Sequence, residues 1–184
     1  YDLISEDIQH AADLLGHVFD RTDGVDGWAV LPVSPLLTTD PDRLQKLVSA
    51  FHTRLKKNIL ITVPGLSGML GAIEEIVFAG IPINISLIYS CDQYVNAADA
   101  YLRGIERRSA AGLKPAVSAF ISIPLFQLKV AFLQKMGQQA ATRASIGTAR
   151  KIYKEMQVLG QSRRWECAYS SGARPLRLIW GISD

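Results

Sequence analysis

Two cysteines and three histidines are the residues in this sequence that could form a nucleophile with its general base. Cys91 follows a predicted strand, at the strand end where the loops of parallel α/β proteins carry active sites. A thiol nucleophile needs a histidine close by, but His10, His17 and His52 all fall on predicted helices. The pattern therefore argues against a Cys–His nucleophile.

Other motifs that carry chemistry are missing or incomplete. The turn Gly65-Leu66-Ser67-Gly68 follows a strand but matches neither the dinucleotide-binding pattern nor the P-loop. Cys91 and Cys167 are too few for a disulfide scaffold or a multi-cysteine zinc module, so we expect no metal and a cytoplasmic or other reduced compartment. No apolar stretch approaches the roughly 20 residues of a membrane helix, so no membrane partner is expected.

Charge is unevenly distributed along the chain. Residues 1–50 carry three basic and nine acidic side chains, whereas residues 101–150 carry eight basic and one acidic. Within the basic part, Arg103, Arg107 and Arg108 form either a solvated helix face or a contact surface for an anionic partner. No aromatic residues alternate with these arginines, so we do not expect nucleic-acid binding.

The hydrophobic pattern predicts one α/β domain over residues 1–184. Hydrophobic residues make up 48% of the chain, which is enough for one sizeable core and excludes a disordered protein. Periodicity and turn residues predict strands at 28–33, 58–64, 81–90, 116–123 and 175–182. Helices are predicted at 5–20, 41–55, 69–80, 92–111, 125–136, 139–159 and 163–171.

A helix between each strand and the next favours parallel strands with right-handed crossovers. Five such units fit either an open doubly wound sheet or part of a (β/α)8 barrel. A full barrel needs about 250 residues, so length alone favours the open sheet.

Several stretches of the chain carry a family resemblance. Residues 58–65 read NILITVPG and residues 73–90 read IEEIVFAGIPINISLIYS, and three further stretches cover 24–35, 93–108 and 164–180. Taken in chain order, these stretches cover most of the sequence and resemble the transaldolase family. The resemblance implies a class I aldolase with a (β/α)8 TIM barrel. Such an enzyme moves a dihydroxyacetone unit between sugar phosphates of the pentose phosphate pathway through a lysine Schiff base, without metal or organic cofactor.

On this resemblance the five strands correspond to the third to seventh strands of the family barrel. Five strands cannot close a barrel, and their open edges invite pairing with another chain. The sequence begins at Tyr1 rather than at Met. We therefore expect that the missing strands lie in polypeptide outside this sequence, or that self-association or another protein subunit completes the barrel.

Three positions that carry the family chemistry are changed. The resemblance places the Schiff-base lysine of the fourth strand at Thr62, whose hydroxyl cannot form an imine. The glutamate of the third strand matches Pro32, and the phosphate-binding arginine of the sixth strand matches Ile123. We therefore predict that this chain has no catalytic residues and binds sugar phosphates weakly.

Other pocket positions are kept. Asn84 and Ser86 of the fifth strand and Ser122 of the sixth match polar residues that face the barrel interior in the family. Strand alternation places Asn84 and Ser86 on the same face. They are either substrate-binding residues or a buried polar pair that forms hydrogen bonds within the barrel.

No other lysine is placed to replace the missing one. Lys56, Lys57 and Lys114 precede predicted strands, at the end opposite to that used for catalysis in barrels. Lys129 follows the sixth strand at the start of a helix and is the nearest candidate. We expect all four to be solvated surface residues.

Two functions are consistent with these residues. The leading hypothesis is a transaldolase-like pseudoenzyme that acts as a binding, scaffold or assembly subunit. The alternative is an active or altered transaldolase or aldolase that uses other residues, or a segment outside this sequence, on sugar phosphates.

Overall fold

Helices and strands follow one another along the chain in the predicted order. A computed structural model describes residues 2–33 and 40–182. Its strands are β1 Ala29–Leu31, β2 Ile59–Pro64, β3 Ile83–Ser86, β4 Ala119–Ile123 and β5 Arg177–Trp180. Its helices are α1 Asp2–Arg21, α2 Pro41–His52, α3 Leu70–Ala79, α4 Cys91–Ala110, α5 Leu125–Leu133, α6 Gln138–Gly160 and α7 Arg163–Ser170.

The third strand is much shorter than its hydrophobic run predicts. Residues 81–90 are mostly apolar, but β3 ends at Ser86. Leu87 follows with φ at +60°, in the left-handed region, so the chain turns out of the sheet there. Ser90 then caps α4 by accepting a hydrogen bond from the backbone N–H of Gln93 at 3.2 Å.

The sheet has the strand order of a barrel. All five strands are parallel and lie in chain order, β1-β2-β3-β4-β5, and they curl into a half-barrel. A doubly wound sheet would reverse its strand order at a switch point, so the open-sheet alternative is wrong. The expectation of an incomplete TIM-like barrel is confirmed. Within the described residues, β1 and β5 each pair with one strand only.

The outer face of the sheet carries the main core. Strand residues on this face pack beneath the helices and are almost fully buried; they include Ile61, Val63, Ile83, Ile85, Ile121 and Ile123. Helix α4 covers them with Tyr94, Ala97, Tyr101 and Leu102, which are also buried. Burial of this apolar surface, at about 25 cal/mol per Å², is the main force that holds helices and sheet together.

The arginines of α4 bind groups of this same chain. Arg103 Nε lies 2.6 Å from Glu74 of α3, and Arg107 Nη1 lies 2.9 Å from the other oxygen of that carboxylate. The hydrogen bond from Arg103 holds the pKa of Glu74 below its usual range, against the effect of burial. Arg108 donates to the Phe78 carbonyl at 2.5 Å. The charges of Arg103 and Arg107 are therefore neutralised by carboxylates of α3, whereas Arg108 is held by a backbone carbonyl.

The turn after α1 reaches across to the far edge of the sheet. Asp23 pairs with Arg174 at 3.4 Å, and Asp26 pairs with Arg177 at 2.9 Å, each across 151 residues of sequence. We call these two ion pairs the end clasp. Both lie at the surface, so each one adds little stability by itself. Together they connect the two edges that a closed barrel would join through further strands.

Beside the end clasp, four side chains fill the amino-terminal end of the half-barrel. The Trp28 ring contacts Phe19 edge-on at 4.9 Å and Phe120 at 6.1 Å, measured between ring centroids. The guanidinium of Arg177 lies 5.1 Å from the Phe120 ring centroid. These four residues form the aromatic plug. It covers the lower part of the inner face, with Phe19 contributed by the last turn of α1.

The plug depends on a close approach of the backbone at Gly27. This residue has φ at +83°, and a Cβ there would lie 2.4 Å from the Phe19 backbone nitrogen. We expect Gly27→Ala to lower the free energy of unfolding by about 2–4 kcal/mol, since both the conformation and the contact oppose a side chain. Urea denaturation followed by tryptophan fluorescence measures the change.

The matched control is Gly16→Ala in α1, where an added Cβ meets no atom within 4 Å. Alanine is the better helix former, so this variant should be as stable as the parent or more stable by up to about 1 kcal/mol. Equal effects of the two substitutions would contradict the described packing of Gly27.

Candidate functional site

The upper part of the inner face carries a small group of polar side chains. Thr62 of β2 and Asn84 of β3 are register partners, and Ser86 lies two residues further along β3 on the same face. Ser122 of β4 donates a hydrogen bond from Oγ to the Asn84 Oδ1 at 2.7 Å. We call these four residues the inner polar cluster.

The buried member of the inner polar cluster is Asn84, which is only 5% exposed. Its hydrogen-bond partner is Ser122 rather than Ser86. Because parallel strands lie about 4.8 Å apart, this diagonal contact joins β3 to β4 across the sheet. Sequence alternation identified the shared face of Asn84 and Ser86, but the partner depends on the register between two strands whose paired residues are 36 positions apart.

The inner polar cluster can form hydrogen bonds, but it has no ionisable group. Its donors and acceptors are two serine hydroxyls, one threonine hydroxyl and one amide. Among the described strand residues that face inward, the charged one is Arg177, which the sequence analysis did not single out. That arginine is held by Asp26 and Phe120. The arrangement suits a neutral, hydroxylated ligand and offers no amine for a covalent step.

Pro32 and Ile123, which the resemblance matches to the glutamate and the arginine of the family, lie apart from this cluster. Pro32 directly follows β1 and is exposed. Residues 34 and 35 of the matching stretch lie outside the described residues. Ile123 is only 1% exposed and belongs to the outer core, on the face opposite to Ser122. Its apolar side chain thus stabilises helix packing and does not line the inner face.

None of the four candidate lysines lies on the inner face. Lys56 pairs with Asp13 of α1, and Lys57 pairs with Asp20 at 2.7 Å, both on the helix side. Lys114 is exposed in the loop before β4. Lys129 borders a groove of about 700 Å³ between α5, α6 and the end of β5, which we call the outer groove.

Cys91 is the first residue of α4 and is partly buried. Burial raises the pKa of its thiol, so the less nucleophilic protonated form is favoured. In the described ranges, no three His, Cys, Asp or Glu side chains meet as a metal site. No helix in these ranges has the length and hydropathy needed to cross a membrane.

A curled parallel sheet in chain order, with helices on its outer face, places the chain in the (β/α)8-barrel class. The family described as Transaldolase/Fructose-6-phosphate aldolase matches residues 1–172. The chain belongs to this family.

Curated relatives cover nearly all of this chain. The transaldolase of Trichodesmium erythraeum is 26% identical over 199 residues, covering 99% of this chain and 52% of the relative. Transaldolase 2 of Nostoc punctiforme is 29% identical, and the match covers 99% of this chain and 52% of the relative. The transaldolase of Acidothermus cellulolyticus is 31% identical, and the match covers 99% of this chain and 51% of the relative. The chain thus spans about half the length of the curated relatives it matches.

The Ser122–Asn84 hydrogen bond can be tested by removing one partner. Ser122→Ala leaves the buried Asn84 oxygen without its donor, so we expect a loss of about 1–3 kcal/mol in the free energy of unfolding. Ser170→Ala, at an exposed position of α7, is the matched control and should change stability by less than about 0.5 kcal/mol. Chemical denaturation measures both. A loss no larger than that of the control would refute a stabilising bond.

Proposed function

We propose that this chain is a transaldolase-family subunit that binds or assembles without forming a Schiff base. The observation that carries the proposal is Thr62, which occupies the position that the resemblance assigns to the lysine. It lies on the inner face beside Asn84, and a hydroxyl there cannot condense with a ketone to an imine.

The ligand class we propose is a sugar or sugar phosphate, bound weakly. The inner polar cluster supplies neutral hydrogen bonds of the kind that hydroxyl groups form. Strong phosphate binding normally uses a free cation, and Arg177 is already engaged by Asp26 and Phe120. Weak binding without covalent chemistry fits a scaffold better than a catalyst.

The proposal predicts that no imine forms. After incubation with fructose 6-phosphate and reduction with borohydride, the intact mass of the protein should remain unchanged, because no inward-facing strand residue in the described part of the chain is a lysine. A transaldolase treated in parallel is the positive control for trapping. Peptide mass mapping would locate any adduct. A reduced adduct on any lysine would favour the alternative of an altered but active enzyme.

For the assembly role, we propose that a second copy of this chain pairs with the open strand edges. The β5 edge of one copy would lie beside the β1 edge of the other. A two-fold axis along the barrel axis would repeat the same contact on the opposite side. Strands remain parallel under this rotation, so both edges are covered and the barrel closes.

Complementary charge supports contact between unlike edges. Lys129, Arg150 and Lys154 line the outer groove, next to Trp180 of β5. Helix α1 packs on β1 at the opposite edge and exposes the carboxylates of Glu6, Asp7 and other acidic residues. A basic groove at one edge and an acidic helix at the other favour head-to-tail pairing.

Light scattering should therefore give twice the mass of one chain. Arg150→Glu combined with Lys154→Glu should reduce the mass to that of a monomer, because the groove then repels α1. Adding Glu6→Lys and Asp7→Lys restores opposite charges and should restore the dimer, while the exposed Lys135→Glu should leave it intact. A monomeric parent, or a different co-purifying chain in stoichiometric amount, would contradict self-pairing.

A further inference from the structure

The outer groove brings apolar and basic side chains together at the surface. It has a volume of about 700 Å³ and lies between α5, α6 and the end of β5. Its lining is largely apolar and partly aromatic, with Phe126 of α5, Ile146 and Tyr153 of α6, and Trp180 of β5. Ile146 and Tyr153 are 46% and 48% exposed, so a ligand can reach this lining from the surface.

The charged side chains of the outer groove all have the same sign. Lys129 belongs to α5, and Arg150 and Lys154 lie one turn apart on α6. The described residues that line the groove include no Asp or Glu, and the sequence has none between Glu106 and Glu155. None of the three cations forms an ion pair with a described residue, so their charges are available to a ligand.

The carboxylate nearest to these cations in sequence lies on another face of α6. Glu155 directly follows Lys154, but it lines a separate cavity together with Val95 and Leu102 of α4. Consecutive residues of an α-helix are rotated by about 100° around its axis, which explains the different directions of the two side chains. An anion in the outer groove therefore meets three cations and no carboxylate of the described lining.

These features define a ligand by its chemistry. An apolar body gains free energy by burial against the lining, and an anionic head group gains charge-assisted hydrogen bonds from Lys129, Arg150 or Lys154. A wholly apolar molecule lacks the second contribution, and a small inorganic anion lacks the first. The volume of the groove suits a ligand of roughly twenty to thirty non-hydrogen atoms.

We propose that the outer groove binds an anionic amphiphile, a molecule with one carboxylate on an apolar chain, and that this ligand releases the second copy of the chain. The release, unlike the binding, rests on the self-pairing proposed above, in which Arg150 and Lys154 attract the acidic helix α1 of the other copy. A carboxylate bound in the groove neutralises the same cations. Ligand and second copy then compete, and each weakens the binding of the other by the same factor.

Decanoate, decan-1-ol and acetate, used below the concentrations at which micelles form, test the binding. The indole N–H resonance of Trp180, assigned with Trp180→Phe, should shift during NMR titration with decanoate. The resonance of Trp28, which lies in the aromatic plug, should stay in place. Decanoate should bind about tenfold or more tightly than decan-1-ol, because only its head group is charged. Acetate has no chain to bury and should cause no shift at the same concentrations.

Variants at exposed positions locate the site without disturbing the core. Arg150→Gln combined with Lys154→Gln should lower the ratio of the decanoate and decan-1-ol affinities about threefold or more, because two of the three cations are removed. Ile146→Gln should weaken the binding of both probes. Lys135→Gln removes a charge outside the groove and should leave the ratio at the parent value. Equal affinities of the two probes, or no shift of the Trp180 resonance, would overturn the binding site.

Light scattering tests the release separately. Saturating decanoate should lower the mass of the parent from two chains to one, whereas acetate at the same concentration should leave the dimer intact. A dimer that keeps its mass with decanoate bound would overturn the release. A parent that is monomeric before any addition would refute the self-pairing and the release together, while the NMR titration decides the binding by itself.

Discussion

One constraint shapes this protein: a parallel sheet whose crossover helices all lie on one side must cover its other face by different means. The outer face is covered by helices and is almost wholly apolar. The inner face has no such cover, and a closed barrel would bury it by curling the sheet upon itself. Here the aromatic plug performs this role at one end, with Trp28 packed between Phe19 and Phe120.

This division of the inner face separates a packed aromatic end from a polar end. Below, the aromatic plug occupies the space that strands of a complete barrel would enclose. Above it, the inner polar cluster keeps the hydrogen bond between Ser122 and Asn84, with Thr62 beside them. Under the proposed function, these neutral groups present polar atoms toward a ligand, and Thr62 offers no amine for a covalent step.

Local pattern predicted most of the elements. The run at 58–64 is apolar at consecutive positions because β2 is buried on both faces, and it was correctly predicted as a strand. The same argument predicted too long a β3, which ends at Ser86. Ile88 lies beyond the strand and is apolar because it is buried in the core. The end clasp and the outer groove could not be predicted, because each depends on distant segments meeting in space. The inner polar cluster was predictable only in part. Its residues could be named from the sequence, but the hydrogen bond from Ser122 to Asn84 depends on the register between β3 and β4.

The end clasp has a consequence for the order of folding. Its two ion pairs join residues 151 positions apart, so closing that loop early would cost chain entropy with few contacts to offset it. Neighbouring βα units have far shorter separations and can assemble first. Contacts that form after the transition state slow unfolding without speeding folding. The small stabilisation that the clasp provides should therefore slow the unfolding of the half-barrel rather than speed its folding.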